Sequence, residues 1–256
     1  MKVFTEEVAL VTGAGSGIGR SVACLFAERG ARVIVADLDD EGGEGTAAII
    51  RERSGDAHFV KCDVSQADQV EAMAATAIDR FGRLDFAHNN AGGTTQFAPI
   101  LETTEEDWDK SVAVHLKGVW LCMREEIRRM RPNGGSIVNT ASIAGMMGML
   151  GAGAYTASKH GVIGLTKVAA MECGAMQIRV NAVCPGGIRT PPVIAYEQDH
   201  QAASDVIKGW HALGRYGEPA EVAETVVWLC SSAASFMTGA AIPIDGGTLA
   251  GRTAGG

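Results

Sequence analysis

Short apolar runs rich in β-branched residues recur along the whole chain, each followed by a stretch whose apolar positions have helical spacing. "VALVT" precedes such a stretch over 17–29, "RVIVA" one over 41–53, "AHFVKC" one over 66–81 and "LDFAHN" one over 104–130. The series continues with "SIVNTA", a helix from about 152 to 173, "IRVNAVCP", a helical stretch near 219–232, and "AIPID". Strands that are apolar throughout and separated by helices must be covered on both faces, which requires a mainly parallel sheet between two helical layers. The expected fold class is therefore α/β, a doubly wound parallel sheet.

Size agrees with one such unit of Rossmann type. The 256 residues, 46% of them hydrophobic, can bury a sizeable core, and no Pro/Ser-rich linker, repeat or low-complexity block divides them before the Gly-rich tail over 251–256. The expectation is a single domain over 1–256. Within it, the segment 189–212, "RTPPVIAYEQDHQAASDVIKGWHA", is the least patterned, and its prolines and mixed polarity suit a mobile substrate segment over a site. The net charge of −8 and the lack of a basic stripe argue against nucleic acid as a partner. The N-terminus has no long apolar run, which predicts a soluble, cytoplasmic protein with no membrane partner. Six scattered cysteines with no CxxC pair predict neither a disulfide framework nor a zinc site, and the histidines 58, 88, 160, 200 and 211 have no metal spacing, so no metal is expected.

Between the first strand and the first helix lies "TGAGSGIGR", with Gly13, Gly15, Gly17 and Gly19. Backbone that must approach a pyrophosphate at a helix N-terminus needs residues without a Cβ, although a tight structural turn alone also uses glycine. The spacing is T-G-x-x-x-G-x-G, not G-x-G-x-x-G. Asp37 ends the second strand, where a carboxylate can accept hydrogen bonds from the adenosine ribose hydroxyls; the competing reading is an ordinary strand-end aspartate. No Arg or Lys follows it in "ADLDD", and Ser16 stands in the turn where a basic residue would hold a 2′-phosphate. The expected cofactor is NAD(H).

In "AYTASKHG", Tyr155 and Lys159 stand four apart, so on a helix they share one face and act on one small volume; a solvated helix face is the bland alternative. A free phenol, with pKa about 10, is a poor base at neutral pH. Lowering it by roughly 3 units takes about 4 kcal/mol of tyrosinate stabilisation, which the Lys159 ammonium one helical turn away, with a positively charged nicotinamide ring nearby, can supply in a partly dry site.

Together these stretches resemble the short-chain dehydrogenase/reductases in their shorter, non-extended form. The resemblance covers nearly the whole chain through "TGAGSGIG", "CDV", "NNAG", "TAS", "YTASK", "IRVNAVCPG" and "DGG". It implies that Ser142, Tyr155 and Lys159 are catalytic, with Ser142 holding the substrate oxygen and Lys159 also binding the nicotinamide ribose. It implies cofactor contacts from the turn that includes Ser16 and Ile18, from Asp37 and Leu38, and from Asp63 and Val64 near the adenine. It further places Asn89, Ala91 and Gly92 along the cofactor, with Pro185, Gly186, Ile188 and Thr190 at the nicotinamide carboxamide. One position departs from the family: in "VAVHLKGVW", His115 stands where an asparagine usually bends the helix and joins a water-linked proton relay. A histidine there serves either as a substitute relay member that titrates near neutrality or as a structural replacement.

The implied activity is interconversion of a secondary alcohol and a ketone by an NAD(H)-dependent alcohol dehydrogenase or carbonyl reductase. The substrate wall is expected from "GGTTQF", "MMGML" and the 189–212 segment, with Thr94, Gln96, Met147, Met149, Tyr196 and Trp210 as candidates. Such an adaptable, mainly apolar wall suits a hydrophobic or cyclic body. The resemblance also implies a homotetramer packed through the helices near 104–130 and 152–173, with Val112, Val119, Leu165 and Val168 as compatible apolar positions. Two other classes stay open: a dinucleotide-binding sensor without turnover, and a non-redox lyase or isomerase using Tyr155 as acid and base.

Overall fold

The computed structural model describes residues 3–93, 96–131 and 133–251. Its seven strands are β1 (Val8–Thr12), β2 (Arg32–Asp37), β3 (Ala57–Lys61), β4 (Phe86–Asn89), β5 (Gly135–Thr140), β6 (Ile178–Pro185) and β7 (Ala241–Ile244). All neighbours pair in parallel, in the order β3-β2-β1-β4-β5-β6-β7. Every residue of β1 is buried, as expected of a strand covered on both faces. Side chains alternate between two cores: Val8, Leu10 and Ala87 pack on one face, and Ala9, Val11 and Phe86 on the other.

The helices α1 (Gly17–Glu28), α2 (Asp40–Glu52), α3 (Ala67–Phe81), α4 (Glu105–Val112), α5 (Val119–Met130) and α6 (Gly153–Cys173) complete the two layers with α9 (Pro219–Cys230). Helix starts carry their own caps. The Asp39 carboxylate accepts from the Glu41 and Gly42 amides, and Glu218 and Glu221 form a reciprocal capping box. The order reverses between β1 and β4, and the crevice beyond the carboxyl ends of these strands is where open α/β sheets bind ligands. The Gly-rich turn after β1 and the Asn89–Gly92 stretch after β4 therefore lie side by side.

Two expectations need correction. The helix expected over 104–130 is interrupted by a π-helical turn over Ala113–Gly118, which contains His115. The segment 189–212, read as the least patterned stretch of the chain, is mostly α7 (Pro191–Asp199) and α8 (Gln201–Gly209). Its prolines occupy the first turn of α7, where the missing N–H has no intrahelical partner to lose, so they start the helix.

Candidate active site

The dinucleotide side is built largely from backbone. Gly13 has φ +62°, and a Cβ there would lie 2.7 Å from Ala91 Cα, so the β1 and β4 turns touch only because this position is glycine. Gly17 has φ +51° and faces Thr190, whose Cγ2 would be 3.0 Å from an added Cβ; this brings the first turn against the segment after β6. Thr12 Oγ1 accepts from the amides of Asn90 and Ala91, and Asn90 Nδ2 donates to the Thr12 and Gly13 carbonyls. Asp37 accepts from the Gly15 amide (2.7 Å) and the Asp39 amide (2.9 Å), so its carboxylate is oriented at the strand end. This glycine-lined cradle ending in a fixed carboxylate fits the adenosine half of a dinucleotide.

Other candidates divide between cleft and interior. Leu38 is exposed, whereas Val64 is buried and approaches Gly118 closely. Asp63 Oδ1 accepts from the Ser65 amide and hydroxyl, which closes a tight turn after β3. The Asn89 side chain points away from the crevice, donating to Glu126 Oε2 and Asn139 Oδ1, so only its backbone faces the cleft side. Sequence reading singled out neither Thr12 nor Arg20. Arg20 holds the Gly15 and Gly42 carbonyls and Thr46 Oγ1, and its place one helical turn after Ser16 was the available signal.

On the other side of the cleft, β5 and α6 bring Ser142, Tyr155 and Lys159 together. Lys159 is 3% exposed; its Nζ donates to the Thr140 carbonyl at 2.8 Å and lies 5.5 Å from the Tyr155 ring centroid. Burial pulls the Lys159 ammonium down from 10.5 to about 8. The Tyr155 phenol is raised by burial, and a hydrogen bond with Ser142 acts in the opposite direction. Desolvation outweighs the hydroxyl here, and the ammonium is aimed at the Thr140 carbonyl. Cys184 is buried beside this group, and burial pushes its thiol up to about 11.

His115 stacks edge-on against Tyr155, with ring centroids 5.0 Å apart, and packs beside Gly92. Burial, then the Lys159 charge, lowers it from 6.5 to about 3, so it is a neutral imidazole across the physiological range. The expectation that it titrates near neutrality is corrected on that ground. Its Nδ1 is buried and has no partner among the described residues.

The expected substrate wall is only partly assembled. Ala98 N donates to Gly151 O, which ties the segment after β4 to the one before α6. Gln96 lines a cavity of about 280 Å³ with Gly93, Ser111 and His115. Met147 and Trp210 are exposed, Met149 is half-buried, and Tyr196 stacks on His200 instead of on the methionines. Thr94 lies outside the described residues. Arg189 pairs with Glu197 at 3.5 Å. Among the described residues, no group of three His, Cys, Asp or Glu side chains could hold a metal.

A family model described as enoyl-(acyl carrier protein) reductase matches residues 13–248. The 2,5-dichloro-2,5-cyclohexadiene-1,4-diol dehydrogenase of Sphingobium indicum (strain B90A) is 41% identical over 249 residues, covering 96% of this chain and 98% of that protein. The cyclohexanol dehydrogenase of Acinetobacter sp. (strain SE19) is 40% identical over 244 residues, covering 95% of each. Among solved structures, levodione reductase superposes with TM-score 0.93 at 38% identity, over 97% of this chain and 100% of that one. A variant of actinorhodin polyketide ketoreductase crystallised with NADPH gives 0.90 at 36% identity, over 95% and 97%. The chain belongs to the short-chain dehydrogenase/reductase family, oxidoreductases that bind a nicotinamide dinucleotide. Within it, the chain is similar to dehydrogenases named for ring alcohols.

Proposed function

We propose that this protein is an NAD(H)-dependent dehydrogenase that interconverts a secondary alcohol on a cyclic, mainly apolar body with the corresponding ketone. The observation that carries this reading is the half-buried Tyr155 phenol between the Ser142 hydroxyl and the buried Lys159 ammonium at the mouth of the switch-point crevice. When bound, the dinucleotide supplies the hydride acceptor, or in reverse the donor, at the nicotinamide C4.

The chain's own residues handle the proton and the orientation. Tyr155 takes the substrate hydroxyl proton at its phenolic oxygen, and in ketone reduction returns it there. Ser142 hydrogen-bonds the substrate oxygen and holds it next to the phenol. Lys159 uses one of its three N–H donors on Thr140 O, leaving two to hold the nicotinamide ribose. The turn from Gly13 to Gly19 receives the pyrophosphate, Asp37 the adenosine ribose, Asp63 and Val64 the adenine, and Pro185, Gly186, Ile188 and Thr190 the carboxamide. Asp37 favours NAD(H), because a 2′-phosphate would meet its negative charge; Arg20, the nearby cation, is already engaged by two carbonyls and a hydroxyl. The names of the relatives that act on ring alcohols support the substrate class.

The deciding experiment measures NADH formation from NAD⁺ with cyclohexanol and other cyclic and linear secondary alcohols, beside Tyr155→Phe. Turnover lost in the variant supports the reading. Dinucleotide binding without turnover of any member would move the assignment to a sensor or a non-redox lyase or isomerase. Tighter binding of NADPH than of NADH would overturn the role given to Asp37.

Assembly as a cytoplasmic homotetramer belongs to the same proposal. Trp108, Trp120, Val168 and Met171 are exposed apolar side chains on α4, α5 and α6, suited to burial against a second copy. Of the positions expected there, Val168 is exposed, Val112 and Leu165 are half-buried, and Val119 instead packs in the core. A monomeric mass by light scattering would sink the tetramer. No helix among the described residues is long and apolar enough to cross a membrane.

A further inference from the structure

His211 follows α8, and its sequence shows no function for it. Its ring is 4% exposed and makes a hydrogen bond at each nitrogen: Nε2 lies 3.0 Å from the Gly187 amide nitrogen, and Nδ1 lies 3.0 Å from the Ile207 carbonyl oxygen. An amide can only donate and a carbonyl can only accept. The two bonds therefore require one protonation state, a neutral imidazole with its proton on Nδ1. Gly187 is held on its other side too, because its carbonyl accepts from the Gly217 amide and Gly217 in turn accepts from the Arg189 amide. Side chains at positions 186 and 187 would strike this clamp: a Cβ at Gly186 would lie 3.2 Å from His211 Nε2, and one at Gly187 would lie 2.8 Å from Tyr216 and 2.9 Å from His211.

The ring therefore joins two pieces that the reading above gives to different ligands. The end of β6 and the turn after it carry Pro185, Gly186, Ile188 and Thr190, and α7 and α8 carry the segment assigned to the outer substrate wall. We propose that His211 is a positioning residue: its neutral imidazole fixes the Gly187 amide with one nitrogen and the last turn of α8 with the other. The nicotinamide end of the dinucleotide then finds its turn preformed, and the substrate wall is set by the same side chain. This rests on the dinucleotide reading of that turn. Tyr216, edge-on to His211 at 6.1 Å, supports it from the side, and its hydroxyl is bonded to Ser204 of α8 at 3.0 Å.

Two substitutions separate the two bonds. His211→Gln places an amide oxygen where Nε2 stands and can keep the Gly187 bond. His211→Asn places an amide nitrogen where Nδ1 stands and keeps only the Ile207 bond. The dissociation constants of NADH and NADPH are measured for the wild type and both variants, with thermal melting beside them. For the dinucleotide the wild type prefers, His211→Asn is expected to bind about tenfold more weakly, while His211→Gln stays within about twofold of wild type. Equal weakening in both variants, or none in either, overturns the proposal, since a packing role would not distinguish the two amides. A wild type that binds neither dinucleotide overturns the reading of the site and this inference with it. If the Asn variant does not fold, ¹⁵N shifts of the wild-type ring decide. A proton on Nδ1 with Nε2 bare, before and after dinucleotide binding, supports the proposal; the opposite tautomer or a doubly protonated ring overturns it.

Discussion

Lys159 and Glu126 are both buried ionisable side chains, and they are driven to nearly the same titration point from opposite directions. Burial brings the Lys159 ammonium down from 10.5 to about 8 and lifts the Glu126 carboxyl from 4.5 to about 8, with an Asn89 hydrogen bond opposing the latter. Their surroundings differ. Lys159 sits one helical turn from a half-buried phenol at the crevice, whereas Glu126 is sealed between β4 and α5, with Oε1 lacking a partner among the described residues. The contrast teaches that burial perturbs a pKa in both cases, so a shifted pKa does not by itself mark a functional group; the proposed role of Lys159 rests on the cleft and the second titratable side chain beside it.

The comparison is tested most strongly at the phenol. Tyr155→Phe should lower kcat by about 1000-fold while NADH binds as before, measured by initial rates and fluorescence titration. Lys159→Met should lower kcat by about 100-fold and yet stabilise the fold at pH 7, by on the order of 3 kcal/mol, since it removes a cation that burial disfavours. The sign follows from linkage. A lysine with a depressed folded pKa costs stability below about 8, and the cost fades as pH rises from there to 10.5, so the advantage of the variant in denaturant unfolding should shrink over that window.

Glu126→Gln should leave kcat within about twofold. Its raised folded pKa means that stability is fully present below 4.5 and is lost as pH rises through about 8. The variant should lack that loss, and its melting temperature should exceed that of wild type by on the order of 5 °C at pH 9 and not at pH 4.5. A variant that instead loses turnover would break the contrast. In the pH profile the smallest effect is expected at His115. Since the imidazole is held near 3, His115→Asn should add or remove no ionisation between pH 5 and 9 in the rate profile, and should change kcat by less than about tenfold. A limb near pH 6.5 that disappears in the variant would restore it to a titrating relay.

Much of this molecule is legible along the chain because its signals are local. A run such as "VALVT" reports burial on both faces, a glycine-rich turn reports a close approach, and the i, i+4 spacing of Tyr155 and Lys159 reports a shared helix face whatever surrounds it. The strands and the pairing of Tyr155 with Lys159 follow from such signals, whereas Ser142 entered through the family resemblance. The 189–212 segment was harder, because proline reads as a breaker until its position in a helix is known.

What the amino-acid order determined by itself is thus the layered α/β class, the glycine turn with Asp37 after it, and the phenol–amine pair, all set by periodicity and by spacing of a few residues. Tertiary structure alone decided which buried groups are perturbed and how. It put Lys159 under Thr140 and sealed Glu126 behind Asn89; it held His115 neutral beside Tyr155 and set His211 between Gly187 and α8. Desolvation and hydrogen-bond partnership depend on residues distant in sequence, 24 positions apart for Gly187 and His211 and 37 for Asn89 and Glu126, so no local pattern encodes them.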